Sequence, residues 1–205
     1  ASLVRKVCCT FSPGFVFRRW WPGSLGRTLR RPGGWSHHLL GEKVAEAFAE
    51  YERETGRQVQ VWFEPGKFLV SECGYLIVKT NVIKQTTATV FVGVNSGFNH
   101  LIRPMFYDAY HRIKNISNSY GNERIYTVVG NICETDTFAW DRTLNEVREG
   151  DFLVFYNAGA YGFEMSSNFN SRLKPAEVLL LDGKAHLIRR RDEFEDLLRN
   201  QIEVL

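Results

Sequence analysis

Cysteine is scarce in this sequence, and no two cysteines stand in the C-x-x-C spacing of a metal or redox motif. The four that occur, Cys8, Cys9, Cys73 and Cys133, predict neither a zinc site nor a disulfide framework, which favours a reducing, cytoplasmic environment. No apolar run reaches the roughly 18 residues that a membrane-spanning helix needs. The N-terminus also lacks the apolar core of a secretory signal. These absences predict a soluble protein without a bound metal.

An excess of charge of one sign is lacking as well. The formal net charge is +3, and much of it comes from N-terminal arginines, namely Arg18, Arg19, Arg27, Arg30 and Arg31. From Gly41 onward the acidic and basic residues nearly balance, so the sequence gives no indication of nucleic-acid binding. The histidines show no metal-ligand spacing, and none of them is assigned a role.

Residues 1–40 form an irregular segment with neither a helical nor a strand period. The segment is rich in Arg, Gly, Pro and Trp and includes Trp20-Trp21-Pro22. A disordered basic segment is one interpretation, and an Arg/Trp mixture that binds membranes or nucleic acid is another. Composition alone leaves both open.

Residues 41–67 predict one helix followed by one strand. Val44, Phe48 and Tyr51 make an apolar stripe on a helix that ends at Gly56, where a left-handed stop is expected. The alternating run 58–63 predicts a strand, and the pair is compatible with the last part of a (β/α)₈ barrel.

Residues 68–205 predict an antiparallel β domain, a barrel or sandwich closed by a short helix. Asp182-Gly183 indicates a hairpin turn, and a helix over 192–200 has Asp192 as its candidate N-cap. The β-rich runs that precede and flank this turn are 68–80, 86–94, 125–132, 151–157, 176–181 and 185–188.

Three features of these segments carry chemistry, each with a plain alternative. Glu64-Pro65-Gly66-Lys67 places a carboxylate and an ammonium around a turn, which suits a cofactor site or an ordinary loop. Arg103 and Tyr107, four apart, suit carboxylate binding, although the tyrosine could equally be a core aromatic. Cys133, before Glu134, could be a reactive thiol or a small buried apolar residue.

Four segments, in order along the chain, resemble motifs of the fold type III decarboxylases that use pyridoxal phosphate (PLP), the Orn/Lys/Arg/DAP decarboxylase family. The resemblance runs from about Leu40 to about Gln201. It implies a Greek-key-type β barrel or sandwich over 68–205 and the terminal αβ unit of an incomplete (β/α)₈ PLP barrel over 41–67. The segments are EPGK (64–67), GVNSGFNHLIRPMFYDAYH (93–111), GNICETD (130–136) and NAGAYG with SSNFNSR (157–172).

The resemblance also implies site roles. Glu64 would partner the pyridine nitrogen of PLP, Gly66 would offer its amide to the phosphate, and Lys67, in place of the commoner Arg, would pair with phosphate or with a substrate carboxylate. Tyr161 would contact cofactor and substrate. Arg103 and Tyr107 would hold the substrate carboxylate.

The Cys-Glu pair would act across the interface of a homodimer. Cys133 would be the proton donor after decarboxylation, and Glu134 would bind the distal amino group in the partner's active site. Segments near the C-terminus most resemble the branch of the family that converts meso-diaminopimelate to L-lysine. A decarboxylase for another basic amino acid or polyamine precursor is an alternative.

Two features of the family are missing. No lysine of this chain stands in a context like the family's YAxKA motif, whose lysine binds the cofactor covalently, and the phosphate-binding glycine loop is absent. Trp20-Trp21-Pro22 is encoded TGG-TGG-CCN, which gives Gly-Gly when read one base later, so a frame-shifted glycine loop near 17–38 is one hypothesis. We therefore expect a truncated chain that is inactive alone. A non-catalytic pseudoenzyme or dimerisation module is the rival interpretation.

Overall fold

The structure is a computed structural model, and it describes residues 37–62 and 66–204. The chain divides into two compact units, the first ending at Pro65 and the second beginning at Gly66. The Arg- and Trp-rich segment before residue 37, with most of the stretch in the frame-shift hypothesis, lies outside the described residues, as do Phe63, Glu64 and Pro65. No helix in the described parts of the chain is long and apolar enough to span a membrane.

The first unit contains one helix, α1 (His37–Thr55), which begins before the predicted start at Gly41. Gly56 has a φ of 66°, and its N–H donates to the carbonyl of Glu52 over 2.8 Å, which confirms the predicted stop. The predicted strand over 58–63 is wrong for residues 58–62, which belong to no strand. A strand needs a neighbour to take its backbone hydrogen bonds, and these residues pair with none in the described chain.

The second unit is mostly strands with short helices between them. Its helices are α2 (Gly66–Val70), α3 (Arg103–Tyr107) and α4 (Phe194–Leu198), and single 3₁₀ turns cover Ser71–Cys73, Phe163–Met165 and Phe169–Ser171. Its strands are β1 (Leu76–Gln85), β2 (Val90–Val94), β3 (Ile113–Asn115), β4 (Glu123–Val129), β5 (Thr137–Asn145), β6 (Phe152–Phe155), β7 (Glu177–Leu181) and β8 (Lys184–Arg189).

Six strands form one sheet in the order β3-β6-β1-β2-β4-β5, and β7 and β8 form a separate hairpin. The two edge strands, β3 and β5, approach each other, so the sheet is a nearly closed barrel. The predicted β barrel is therefore confirmed. One pairing differs from the antiparallel expectation, since β2 and β4 run parallel, which requires the long connection 95–122 to cross from one end of the sheet to the other.

The barrel interior is filled by side chains that alternate along the strands. On β1, Val78 and Thr80 are buried, whereas Ile77 and Lys79, which alternate with them, are exposed. The buried apolar core comprises Val92, Val94, Tyr126, Val128, Phe138, Leu153 and Phe155, with smaller contributions from neighbouring residues. This core holds the ends of the strands in place, and the loops at those ends carry the candidate site.

Two predictions at the C-terminus have different outcomes. The Asp182-Gly183 hairpin is confirmed: both residues have positive φ, 50° and 72°, and β7 pairs antiparallel with β8. The N-cap of α4 is Glu193, in a capping box with Asp196, rather than Asp192. Asp192 lies one residue too early and accepts hydrogen bonds from the N–H of Lys174 (3.0 Å) and from Asn168 (2.9 Å).

Candidate functional site

Arg103 and Tyr107 lie at the two ends of α3. The helix is a single turn, and Asp108, which follows it as the C-cap, has the left-handed conformation with a φ of 49°. Residues four apart share one face of a helix, and the guanidinium carbon of Arg103 lies 5.3 Å from the ring centroid of Tyr107. The same carbon lies 5.5 Å from the ring centroid of Tyr161. We call these three residues the arginine cluster.

The Arg103 side chain is partly withdrawn from water. Its Nε atom is buried and has no hydrogen-bond partner within the described residues. Burial lowers the pKa of Arg103 from its ordinary value, and the neighbouring Tyr107 and Tyr161 oppose this shift. A partly desolvated guanidinium with an unused donor suits a carboxylate ligand, since the pair can form parallel charge-assisted hydrogen bonds.

The position of Tyr161 depends on the segment 157–162. The N–H of Gly159 donates to Ser71 (3.1 Å) and the N–H of Ala158 donates to Gly74 (2.9 Å), both to backbone carbonyls. A Cβ on Gly159 would lie 2.0 Å from the carbonyl oxygen of Val70, so only glycine fits this approach. Tyr161 has a φ of 57° and is 46% exposed, so its ring is accessible from solvent.

His111 is a residue of this region that sequence reasoning left without a role. It is 4% exposed, and its Nδ1 lies 2.8 Å from the carbonyl oxygen of Tyr156, which accepts the Nδ1 proton. Its Nε2 is buried with no partner within the described residues. Burial lowers the pKa of His111, and the charges of Arg103 and Lys67 lower it further. The hydrogen bond to Tyr156 opposes this shift, but the net effect favours the neutral ring, and because Nδ1 carries its proton, Nε2 then carries the lone pair.

The sequence-predicted cofactor residues are described only in part. Lys67 is exposed on α2, and its charge contributes to the lowered pKa of His111. Gly66 is the first residue of α2, whereas Glu64 lies outside the described residues. The predicted strand over 68–73 is wrong, because residues 66–73 form α2 and a 3₁₀ turn. The hydroxyl of Ser71 donates to the carbonyl of Asn157 over 3.2 Å, and this contact between residues far apart in the sequence helps to fix the turn.

Cys133 and Glu134 lie on a second feature, the loop 130–136 that follows β4, which we call the Cys133 loop. Both side chains are exposed. The thiol sulphur of Cys133 lies 3.9 Å from Nδ2 of Asn170, and Arg172 donates to the carbonyl of Asn131 over 3.1 Å. The SSNFNSR segment therefore supports this loop, a role that its motif did not reveal.

The turn 96–100 joins the Cys133 loop to the SSNFNSR segment. Asn99 is 1% exposed, and its backbone and side chain exchange hydrogen bonds with the backbone of Ser167. Nδ1 of His100 lies 2.9 Å from the hydroxyl of Ser96, and its Nε2 donates to the carbonyl of Leu173 over 3.0 Å. Burial lowers the pKa of His100, which favours the neutral form of this ring as well.

The arrangement has two chemical capacities. The arginine cluster can bind a carboxylate beside exposed aromatic rings, and the Cys133 loop presents a thiol and a carboxylate outward. Because both side chains of the loop point into solvent, they can act only on a molecule that lies against this surface. No group of three or more Cys, His, Asp or Glu side chains within 37–62 and 66–204 could hold a metal ion.

Several proteins similar to this chain are named diaminopimelate decarboxylase. The diaminopimelate decarboxylase of Methanothermobacter thermautotrophicus is 47% identical over 166 residues, covering 79% of this chain and 38% of the relative. That of Archaeoglobus fulgidus is 37% identical over 182 residues, covering 87% of this chain and 43% of the relative. A crystal structure of diaminopimelate decarboxylase from M. jannaschii in co-complex with L-lysine matches with a TM-score of 0.67 at 34% identity, covering 80% of this chain and 38% of that one. The chain thus spans about two fifths of the length of these relatives.

The family is established by a match over the barrel itself. The sequence profile described as "Pyridoxal-dependent decarboxylase, C-terminal sheet domain" matches residues 40–159, more than half of the chain. This span contains all six strands of the sheet, β1 to β6, together with α3 and the Cys133 loop. The chain therefore belongs to the pyridoxal-dependent decarboxylase family, whose C-terminal sheet domain it contains.

Proposed function

We propose that this chain supplies the sheet-domain part of the active site in a PLP-dependent enzyme that decarboxylates meso-diaminopimelate to L-lysine. The observation that carries the proposal is the partly desolvated guanidinium of Arg103 beside the rings of Tyr107 and Tyr161. The relatives named diaminopimelate decarboxylase support the choice of substrate.

The residues present suit a cofactor phosphate and a carboxylated substrate. Lys67 is an exposed cation, Tyr161 is an exposed ring, and Arg103 has an unused buried donor. Gly66, Lys67 and Tyr161 would hold PLP, with Glu64 at its pyridine nitrogen. Bound PLP supplies an electron sink for the pair of electrons left when carbon dioxide departs.

On the substrate, the arginine cluster binds one carboxylate. The guanidinium of Arg103 donates to its oxygens and the hydroxyl of Tyr107 donates a further hydrogen bond, which fixes the orientation of the amino acid. Tyr161 covers the site and excludes water from its contact face. Arg103 can form two parallel hydrogen bonds, which a lysine could not replace.

Cys133 and Glu134 act in the active site of the partner in a homodimer. The Cys133 thiol holds a proton and gives it to the carbon atom that has lost carbon dioxide. The Glu134 carboxylate binds the distal ammonium group of the substrate, which selects a diamino acid. The outward exposure of both side chains supports action on a neighbouring molecule.

A chimera tests this function. Residues 40–204 replace the corresponding C-terminal segment of the M. thermautotrophicus relative, so that the barrel with its cofactor lysine is supplied. We expect the chimera to release carbon dioxide from meso-diaminopimelate and to form lysine. We expect Cys133→Ala and Glu134→Ala to abolish most of this activity, whereas Cys73→Ser, at the other described cysteine, leaves it unchanged. A folded, PLP-loaded chimera that leaves meso-diaminopimelate intact, or that prefers ornithine or arginine, would contradict the proposal.

A further inference from the structure

The Cys133 loop is closed by a single residue, Asp136. The N–H of Gly130 donates to the backbone carbonyl of Asp136 over 2.7 Å, which joins the two ends of the loop. The N–H of Ile132 donates to Oδ2 of the same residue over 2.9 Å. Ile132 directly precedes Cys133, so the carboxylate fixes the backbone beside the thiol.

The other carboxylate oxygen reaches a different part of the chain. Oδ1 of Asp136 accepts from the N–H of Phe98 over 2.6 Å, and the N–H of Asn131 donates to the carbonyl of Ser96 over 3.0 Å. The Cys133 loop is therefore attached to the turn 96–100, which in turn holds the SSNFNSR segment. One carboxylate links the thiol loop to its supporting segment.

The carboxylate has almost no freedom to move. Asp136 is 6% exposed, and a Cβ on Gly130 would lie 1.9 Å from Oδ2. The side chain thus packs directly on the backbone of Gly130, in space that any other residue at position 130 would fill.

Position 136 requires a side chain with two hydrogen-bond acceptors, because each carboxylate oxygen accepts from a different N–H group. An asparagine there would replace one oxygen with an NH₂ group, which cannot accept a hydrogen bond. The N–H of either Phe98 or Ile132 would then lose its acceptor. Burial raises the pKa of Asp136, and the N–H groups of Ile132 and Phe98 and the charge of Arg172 oppose this shift. Arg172 is the cation that faces the carboxylate from the SSNFNSR segment.

We propose that Asp136 is the positioning residue for Cys133, holding the thiol at the place from which it delivers its proton. The inference rests on the proposed function for the reaction, but the position of the thiol can be measured without it. A proton donor that is displaced by about 1 Å loses much of its effect, because proton transfer needs the acid within hydrogen-bond reach of the reacting atom.

The experiment compares the alkylation of two thiols in the intact chain. Iodoacetamide labelling of Cys133 and Cys73, followed peptide by peptide by mass spectrometry between pH 6.5 and 9, gives a rate and a pH profile for each. In Asp136→Asn we expect the Cys133 rate to change by about threefold or more, with a displaced pH profile, because the loop opens. Cys73 serves as the internal reference and should keep its rate. Asp141→Asn is the matched control, since Asp141 is exposed on β5 with a φ of 47° that asparagine tolerates.

A Cys133 profile equal to that of the unchanged chain would overturn the proposal, and so would equal acceleration at both cysteines, which would mean general destabilisation. A second measurement avoids the risk that the variant does not fold. In the unchanged chain, the N–H groups of Phe98 and Ile132 should exchange with deuterium about 100-fold more slowly than that of Glu134. Exchange at Ile132 as fast as at Glu134 would also overturn it.

Activity of the chimera separates the two proposals. Asp136→Asn should lower kcat while leaving KM for meso-diaminopimelate nearly unchanged, since Asp136 contacts no part of the substrate. If the chimera with Asp136 intact is inactive but the thiol profile changes as expected, the proposed function fails and the positioning role stands. If the chimera is active and Asp136→Asn alters neither kcat nor the thiol profile, the positioning role alone fails.

Discussion

The guanidinium of Arg103 lies over the ring of Tyr161, 5.5 Å from its centroid, although four strands, β3 to β6, separate the two residues along the chain. The contact brings the turn after β2 together with the turn after β6. A carboxylate site is thus built from two loops that the barrel holds in place.

Replacement of Arg103 by lysine should weaken carboxylate binding. In the chimera, Arg103→Lys keeps the positive charge but loses the paired hydrogen bonds, so we expect KM for meso-diaminopimelate to rise by roughly tenfold to a hundredfold. Steady-state kinetics measures this. The control is Arg112→Lys, because Arg112 also lies over a tyrosine ring, 5.5 Å from the centroid of Tyr156, but outside the arginine cluster. Equal effects of the two substitutions would argue against a carboxylate site at Arg103.

The chain alone should not bind PLP covalently. None of its lysines stands in the sequence context of the family's cofactor lysine, so borohydride treatment with PLP should leave every lysine unmodified. Mass spectrometry of the digested chain checks this, and the chimera, which should be trapped on the lysine of its donor barrel, is the positive control. Stoichiometric modification of one lysine in the 205-residue chain would contradict the expectation.

Stability should fall as the pH drops below about 6.5. Burial lowers the pKa of both His100 and His111 in the folded chain. Between the ordinary pKa of about 6.5 and the lower folded value, the unfolded state takes up protons that the folded state does not, so the free energy of unfolding decreases by up to about 1.4 kcal/mol per pH unit for each ring.

Urea unfolding at pH 7.5, 6.5 and 5.5 tests this dependence. His111→Gln should reduce the slope of unfolding free energy against pH, while His186→Gln, at an exposed position on β8, should leave it as it is. An unchanged slope in His111→Gln would show that this ring does not carry the effect.

Gly159→Ala should destabilise the barrel. Its Cβ would lie 2.0 Å from the carbonyl oxygen of Val70, and because backbone must shift to relieve the overlap, we expect a loss of about 1–3 kcal/mol or more. Gly41→Ala is a control of opposite sign, since a Cβ there meets nothing within 4 Å and alanine favours a helix by about 0.5–1 kcal/mol. Thermal unfolding followed by circular dichroism measures both, and a neutral Gly159→Ala would mean that the turn can relax.

Local chemistry made parts of this fold predictable. The periodic stripe of α1 and the Asp182-Gly183 turn depend on neighbouring residues alone, and both are present. The run Phe68-Leu69-Val70 reads as strand by propensity, yet residues 66–70 are helical, because contacts such as Ser71 with Asn157 come from far along the chain. Strand β5 was missed since it carries charged side chains and a positive φ at Asp141.

The candidate site was predictable by resemblance rather than by spacing. Arg103 and Tyr107 were predicted as a pair and Tyr161 separately, and the structure brings all three together. Asp136 and His111 received no role, because their partners are backbone groups of Phe98 and Tyr156 that no side-chain pattern reveals. A buried acid after a Cys-Glu pair is the signal that could have drawn attention to Asp136.

The parallel pairing of β2 with β4 has a consequence for how the domain folds. The connection between these strands contains α3 and β3, and it carries Arg103, Tyr107 and His111. Parallel strands can pair only after such a connection has crossed the barrel. The chain therefore loses conformational entropy before the stabilising contacts between the strands form, which slows folding. The barrel and the arginine cluster should therefore acquire their order in the same slow step, and a chain that fails to close would lack both.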